Sequence, residues 1–256
     1  MAIDCDFSIR GAGPHLILIH GIGARRSVFD GLVDGLQDRF TCITYDLRGH
    51  GQSPLPEGRF GLSDLVEDLA RIFDRLGIEK AHLAGHSLGG MIGPGFAHRF
   101  PDKVLSLGLY STAAFRTADD SAKVKGVVAA MRKNGIEREL DTLTARWFTD
   151  DFAAANPDVI ERRKAQVVGT PPDVFLNVFD IYAETEMSPW LHEIEAPSLV
   201  LTGELDGGCN PRLNKQIADA MPNSELVVLN ELKHALLIEA PDRVVGPVRT
   251  FLEKHR

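Results

Sequence analysis

One turn constrains the fold of this chain more than any other feature: a serine flanked by glycines where an apolar strand runs into a helix. The segment Leu83–Gly90 reads LAGHSLGG, so Ser87 stands at the centre of a G-x-S-x-G pattern. At a strand-to-helix turn this pattern predicts a nucleophile elbow, a strained turn that lifts the serine hydroxyl above the sheet edge. The helix that follows directs unpaired N–H groups at the same place, which favours developing negative charge. The pattern also occurs by chance, so the rest of the chain must decide whether Ser87 is a nucleophile.

Apolar runs of strand length recur along the chain and predict a parallel sheet. They lie at Leu16–Ile19, Thr41–Tyr45, Ala81–Ala84, Val104–Leu109, Ser198–Thr202 and Leu226–Leu229. Most are continuously apolar, as expected of parallel strands covered on both faces. Helical patterns separate them, and the clearest has Ser63 as its N-cap and ends at Gly77. The predicted fold class is α/β, with a mostly parallel central sheet flanked by helices and an edge hairpin over Asp4 to Gly13.

One long stretch breaks the alternation of strands and helices. Residues 116–190 contain no strand pattern but do contain helical patterns at Ser121–Asn134, Glu137–Phe148, Pro157–Val168 and Pro172–Glu186. We therefore expect a helical lid, inserted after the sixth strand, over a core formed by residues 1–115 and 191–256. The alternative is that these helices only add packing to the core.

Composition excludes several classes of partner. The formal net charge is −8 and no basic run occurs, which argues against nucleic acids and anionic membranes. No apolar run is long enough to span a bilayer, and the N-terminal residues do not resemble a signal peptide. The three cysteines are scattered and have no metal-ligand or disulfide spacing. We expect a cytoplasmic protein without a metal or other cofactor.

A serine nucleophile needs a base, and the base needs an acid that orients it. His234 follows the last apolar strand, and Asp206 follows the strand before it. Both should therefore lie on loops at the carboxyl edge of the sheet, beside Ser87. The three residues follow one another in the order Ser, Asp, His. Glu204, two residues before Asp206, remains an alternative acid.

Acyl transfer also requires hydrogen-bond donors for an oxyanion. We expect one to be the backbone N–H of Leu88, directly after the nucleophile. The second should come from the loop after the first long strand, where the N–H of Ile22 is the best placed. His20 in the same loop is interpreted as structural, because its ring can hold the loop while the neighbouring glycines allow tight turns.

Five motifs in sequence order resemble those of the α/β-hydrolase superfamily. They are HGIG at 20–23, DLRGHGQS at 46–53, GHSLGG at 85–90, GELD at 203–206 and HALLIEAP at 234–241. The motif DLRGHGQS at 46–53 is interpreted as a structural loop. Within the superfamily the chain most resembles the 3-oxoadipate enol-lactonase group, because of its length, its helical insertion and the segment ARWFTDDF at 145–152. The resemblance implies a small ester or lactone substrate that carries a carboxylate, and no cofactor.

A substrate carboxylate would favour an arginine in an apolar pocket. Arg146 is the first candidate, with Trp147 as a wall of the pocket, and Arg116 is the second. The alternative is that Arg146 is a solvated helix residue and Trp147 is part of the lid core. Pro94 should kink the helix after Ser87 while leaving the N–H of Leu88 in place.

The leading hypothesis is a serine hydrolase that needs no cofactor and forms an acyl-enzyme on Ser87. The same triad can also hydrolyse C–C or amide bonds, carry out perhydrolysis or transfer acyl groups. A ligand-binding receptor on the same scaffold is a further alternative, since fold alone does not fix function. The expected partner is a small acidic molecule, and the sequence leaves the oligomeric state open.

Overall fold

Seven strands form one sheet in the computed structural model, which describes residues 1–256. The strands are β1 (Phe7–Arg10), β2 (His15–Ile19), β3 (Thr41–Tyr45), β4 (Ala81–His86), β5 (Val104–Tyr110), β6 (Ser198–Gly203) and β7 (Ser224–Leu229). Their order across the sheet is β1-β3-β2-β4-β5-β6-β7. Only β1 runs antiparallel to its neighbour, so the predicted mostly parallel sheet is confirmed.

The predicted edge hairpin is wrong. The segment from Asp4 to Gly13 contributes the single strand β1, which pairs with β3 and not with β2. Strand β2 is already paired on both sides, with β3 and β4, so the chain must cross over between β1 and β2. The connection turns at Gly11, whose φ of 84° belongs to the left-handed region that favours glycine.

Helices cover both faces of the sheet. They are α1 (Asp30–Asp34), α2 (Leu62–Leu76), α3 (Gly89–Arg99), α4 (Ala118–Asn134), α5 (Ile136–Trp147), α6 (Asp150–Ala155), α7 (Pro157–Val168), α8 (Pro172–Glu184), α9 (Pro211–Ala220), α10 (Leu236–Glu239) and α11 (Pro241–Lys254). None of them is both long and apolar enough to cross a membrane. In β2, Ile17 and Ile19 belong to one buried apolar cluster, whereas Leu16 and Leu18 belong to another. Both faces of the strand are buried, in keeping with its continuously apolar sequence from Leu16 to Ile19.

Helix α2 begins two residues earlier than the sequence indicates. Its N-cap is Gly61, whose N–H donates to the Asp64 carboxylate at 2.9 Å, so Ser63 lies inside the first turn and is not the cap. A glycine can adopt the extended conformation that this N-cap requires, and Asp64 satisfies one of the donors there. The predicted end is confirmed, since Gly77 is left-handed with φ 62°.

Five helices, α4 to α8, occupy the stretch between β5 and β6. The insertion therefore follows the fifth strand and not the sixth, because the segment before β2 supplies one strand where a hairpin was expected. The unexpected fifth helix is the short α6, whose N-cap Thr149 accepts a hydrogen bond from the N–H of Phe152. The separation of residues 116–190 as a lid stays a prediction.

Helix α3 follows the serine turn and runs without interruption from Gly89 past Pro94 to Arg99. Proline lacks the N–H that would bond to the carbonyl four residues earlier, which weakens this turn of the helix. The point of weakness comes after the first turn, so the helix start that faces Ser87 is intact. The predicted kink at Pro94 stays a prediction.

Candidate active site

Ser87 lies in a strained turn between β4 and α3. Its φ is 56°, an unusual value for a residue with a side chain. Two hydrogen bonds hold its backbone: its N–H donates to the carbonyl of Tyr110 at 2.8 Å, and the Thr112 hydroxyl donates to its carbonyl at 2.8 Å. The strain is thus maintained by β5 and by the segment that follows it, and these contacts hold the Ser87 backbone in place.

Small residues allow the turn to lie against the loop after β2. A Cβ on Gly89 would stand 2.0 Å from the carbonyl oxygen of Ile19. A Cβ on Gly21 would stand 2.8 Å from the Cβ of Ser87. Neither position therefore accepts a side chain, and the backbone of the β2 loop comes into contact with Ser87.

The predicted base and acid are in direct contact. The Nδ1 of His234 donates to the Oδ2 of Asp206 at 2.7 Å. The other oxygen, Oδ1, accepts the N–H groups of Gly208 at 3.0 Å and Cys209 at 2.8 Å. Asp206 is only 2% exposed, so these bonds fix its carboxylate within the protein. Glu204 is exposed and accepts the N–H of Glu231 at 3.0 Å, so it is not the partner of His234.

The electrostatics of this pair favour a charged carboxylate beside the imidazole. Burial alone would lower the pKa of His234, but the Asp206 carboxylate more than offsets it, and the pKa lies above the ordinary value. Burial likewise opposes ionisation of Asp206, yet His234 and the two backbone N–H groups bring the pKa of that carboxyl below its usual value. The carboxylate thus remains charged while the ring gains or loses a proton.

His86 supports the loop that carries His234. Its Nε2 donates to the carbonyl of His234 at 2.9 Å, and the two ring centres are 4.7 Å apart. Burial lowers the pKa of His86 to about 3, so the ring is neutral and acts as a hydrogen-bond donor to the backbone. The GHSLGG pattern contains this histidine, but sequence reasoning assigned it no role.

A cavity of about 500 Å³ brings the predicted residues together. Ser87, Asp206, His234 and Ile22 all line it. No hydrogen bond joins the Ser87 hydroxyl to the His234 ring, and such catalytic bonds often tighten only when substrate binds. The volume lies in the range of pockets that enclose a small molecule.

The backbone N–H groups of Ile22 and Leu88, which are the predicted oxyanion donors, have no partner within the chain. The neighbouring N–H of Gly23 is already engaged, because it donates to the Nε2 of His50 at 3.2 Å. His20 receives the N–H of Leu47 at 2.9 Å and donates from Nδ1 to the carbonyl of Gly21 at 2.7 Å. Both histidines thus hold the backbone of the β2 loop.

The two candidate arginines occupy different environments. Arg146, at the end of α5, lines the cavity but is exposed, and neighbouring Trp147 is half-buried in the wall. Arg116 also lines the cavity, and its guanidinium lies 4.4 Å from the centre of the Tyr182 ring. One nitrogen donates to the carbonyl of Thr185 at 3.1 Å, whereas Nε and Nη2 are buried without a partner. Unsatisfied buried donors are costly, which favours Arg116 as the site of an anionic group.

Cys209 lies beside Asp206 and His234. It is 1% exposed, and its Sγ lies 3.0 Å from the hydroxyl of Tyr182. The ligand-type atoms of Asp206, Cys209 and His234 lie within 4.8 Å of one another. Oδ2 of Asp206 accepts from His234, and Oδ1 accepts from two backbone N–H groups. The contacts of Asp206 are therefore those of a His–Asp hydrogen-bonded pair.

A strained serine at the carboxyl edge of a parallel sheet, opposite a His–Asp pair, defines the class of hydrolases with a nucleophile elbow. The chain belongs to the α/β-hydrolase fold family, whose sequence profile matches residues 14–241. It is 27% identical over 241 residues to 3-oxoadipate enol-lactonase 2 of Acinetobacter baylyi, covering 94% of this chain and 89% of that protein.

Solved structures agree with this assignment. A thermophilic esterase from Thermogutta terrifontis, solved with malate bound, superposes with a TM-score of 0.89 at 28% identity, over 99% of this chain and 95% of that one. The enol-lactonase of Burkholderia xenovorans LB400 has a TM-score of 0.89 at 26% identity, over 97% of this chain and 96% of the other. The resemblance to enol-lactonases therefore extends over nearly the whole chain.

Proposed function

We propose that this protein is a serine hydrolase that cleaves a small carboxylate-bearing ester or enol-lactone through an acyl-enzyme on Ser87. The observation that carries the proposal is the meeting of Ser87, at the strained turn, with the His234–Asp206 pair in one cavity. The similarity to an esterase and to enol-lactonases supports the same bond class.

The geometry suits a two-step acyl transfer. Ser87 attacks the substrate carbonyl while His234 takes the hydroxyl proton, and Asp206 stabilises the imidazolium that forms. The N–H groups of Ile22 and Leu88 stabilise the oxyanion. His234 then protonates the leaving oxygen, which in a lactone stays attached to the acyl group. Water, activated by the same ring, finally releases the acid and restores Ser87.

Arg116 is the proposed anchor for the substrate carboxylate. Two of its guanidinium nitrogens have no hydrogen-bond acceptor within the chain. No carboxylate of the chain forms an ion pair with the guanidinium. A bidentate pair with an arginine is among the strongest ways to bind a carboxylate. Arg146 is exposed at the cavity and would interact with a substrate through a solvated charge, which contributes less.

We expect Arg116→Met to lower kcat/KM for a carboxylate-bearing ester by about 10- to 100-fold, as for loss of a charge-assisted hydrogen bond. A neutral ester of the same size should change by less than about threefold, because only the carboxylate uses the guanidinium. Arg146→Met should cost less than Arg116→Met with the acidic ester. Equal losses on acidic and neutral esters would contradict the assignment of Arg116.

The pH dependence should reflect His234. The general base must be neutral, so kcat/KM for a neutral ester should fall as the pH drops through the pKa of His234. Because the Asp206 carboxylate holds that pKa above its ordinary value, the midpoint should lie above about 6.5. In Asp206→Ala the residual activity should show a midpoint at lower pH. An unshifted midpoint would mean that another group limits the rate.

The direct test of the proposal is covalent labelling. A fluorophosphonate should add one phosphonyl group to the protein, and peptide mass spectrometry should place it on Ser87. Rapid mixing with p-nitrophenyl acetate should give a burst of nitrophenol if the acyl-enzyme accumulates. Absence of any label on Ser87, with ester turnover intact, would rule out the acyl-enzyme.

A further inference from the structure

We propose that Arg163 is a positioning residue, which fixes the loop that carries the Ile22 N–H and places a buried positive charge behind it. The inference rests on the proposed hydrolase function, since it concerns the stabilisation of the oxyanion in that reaction. Arg163 belongs to α7, in the helical insertion, so the role would make part of the insertion a component of the catalytic centre.

The contacts of Arg163 are made to the loop backbone. Its Nη1 donates to the carbonyl of Gly23 at 2.6 Å, and its Nη2 donates to the carbonyl of Ile22 at 3.0 Å. The side chain is buried, since the residue is only 8% exposed, and its guanidinium lies 4.5 Å from the centre of the Trp147 ring. Trp147 thereby helps to hold the guanidinium in place.

The hydrogen bonds around Ile22 leave one group free. The carbonyl of Gly21 accepts from His20, the carbonyl of Ile22 accepts from Arg163, and the N–H of Gly23 donates to His50. Because peptide units are planar, these bonds fix the orientation of the peptides on both sides of Ile22. The N–H of Ile22 has no partner in the chain and remains available to an incoming oxygen.

The charge of Arg163 is not neutralised by the protein. No carboxylate lies within ion-pair distance of its guanidinium. Burial lowers the pKa of Arg163 to about 10, so the group is still protonated at neutral pH. A buried cation without a counter-ion is unfavourable on its own, and it becomes useful when negative charge develops nearby. Arg163 lines the same cavity as Ser87, which is where that charge would develop.

A second arginine provides a matched control for a purely structural role. Arg25 also ties the β2 loop to the insertion: it donates to the Thr170 hydroxyl at 3.1 Å and to the carbonyl of Gln166 at 3.4 Å. It does not bond to the carbonyls of Ile22 or Gly23. Removing Arg25 therefore weakens the attachment of the helices without releasing the proposed oxyanion donor.

The experiment compares Arg163→Met, Arg163→Lys and Arg25→Met with the wild type, using a neutral ester and phenylboronic acid. The boronic acid forms a tetrahedral anionic adduct with the nucleophilic serine and resembles the transition state. We expect Arg163→Met to lower kcat by about 10- to 100-fold with little change in KM, and to raise the Ki of the boronic acid by a similar factor. Arg163→Lys should recover part of the loss. Arg25→Met should lower Tm while kcat stays within about twofold.

The outcomes separate this inference from the proposed function. An unchanged kcat in Arg163→Met, or an equal loss in Arg25→Met, overturns the positioning role while leaving the hydrolase proposal standing. A fall in the Tm of Arg163→Met with no change in the Ki of the boronic acid also overturns the positioning role. That result is expected if Arg163 only attaches the insertion to the β2 loop. Retained turnover in Ser87→Ala would overturn the proposed function, and with it the role of Arg163.

Discussion

The Ser87→Ala variant should lose at least about 10⁴-fold in kcat on any ester that the wild type hydrolyses. Without the hydroxyl no acyl-enzyme forms, and only binding and oxyanion stabilisation remain to assist direct attack by water. Steady-state turnover of the best ester, measured at high enzyme concentration, gives the factor.

The loss should not result from unfolding. Hydrogen bonds hold Ser87 through its backbone, to Tyr110 and Thr112, and alanine preserves both of them. We therefore expect a Tm close to that of the wild type and unimpaired binding of a substrate-like ligand by calorimetry. Turnover within about tenfold of the wild type would exclude Ser87 as the nucleophile, because triad nucleophiles contribute far more than that.

The second large effect is expected for Asp206→Asn, which should lower kcat by about 10⁴-fold, as in other serine triads. The amide cannot stabilise an imidazolium, and it favours the wrong tautomer of His234. The Asp206 carboxylate is buried and bonded to His234 at 2.7 Å. A water molecule therefore cannot take over its contact with the ring unless the surrounding residues rearrange. Activity against the same neutral ester, followed at a pH above the titration of His234, measures the effect.

Glu204→Gln is the matched control for Asp206→Asn. Glu204 directly follows β6, two residues before Asp206, but it is exposed. Its carboxylate accepts a hydrogen bond from the backbone N–H of Glu231. We expect its kcat to stay within about twofold of the wild type, as for surface substitutions in general. If Glu204→Gln lost as much activity as Asp206→Asn, the acid of the triad would have been misassigned.

The central sheet could be predicted because its signals are local. The inner parallel strands are buried on both faces, so each appears in the sequence as a short, largely apolar run. The pairing of β1 could not be predicted, because the choice between β2 and β3 depends on which edges the sheet leaves open. The insertion follows the fifth strand and not the predicted sixth, because the segment before β2 forms one strand and not the two of a hairpin.

The candidate triad could be predicted because Ser87, Asp206 and His234 lie in the segments that follow β4, β6 and β7. Parallel strands end at one edge of the sheet, so Ser87, Asp206 and His234 had to come close together. The choice between Asp206 and Glu204 was left open by the sequence. It depends on which carboxylate turns inward, and the N–H groups of Gly208 and Cys209 decide this.

The environments of Arg146 and Arg163 could not be predicted from the sequence. Arg146 and Arg163 lie on neighbouring insertion helices, in charged segments that resemble solvated faces. Their roles depend on helix packing: Arg163 is buried against the β2 loop, whereas Arg146 stays exposed. Burial of a charge is a property of the assembled structure, because it depends on partners distant in the sequence.

The sequence by itself determined the α/β sheet, the serine turn and the chain order of the proposed nucleophile, acid and base. These features depend on periodicity and on residues adjacent in the chain. Only the tertiary structure decided that Arg116 has unpartnered nitrogens and that Arg163 binds the carbonyls of Ile22 and Gly23. Such contacts join segments more than a hundred residues apart, or lie in a cavity between helices, and no local pattern encodes them.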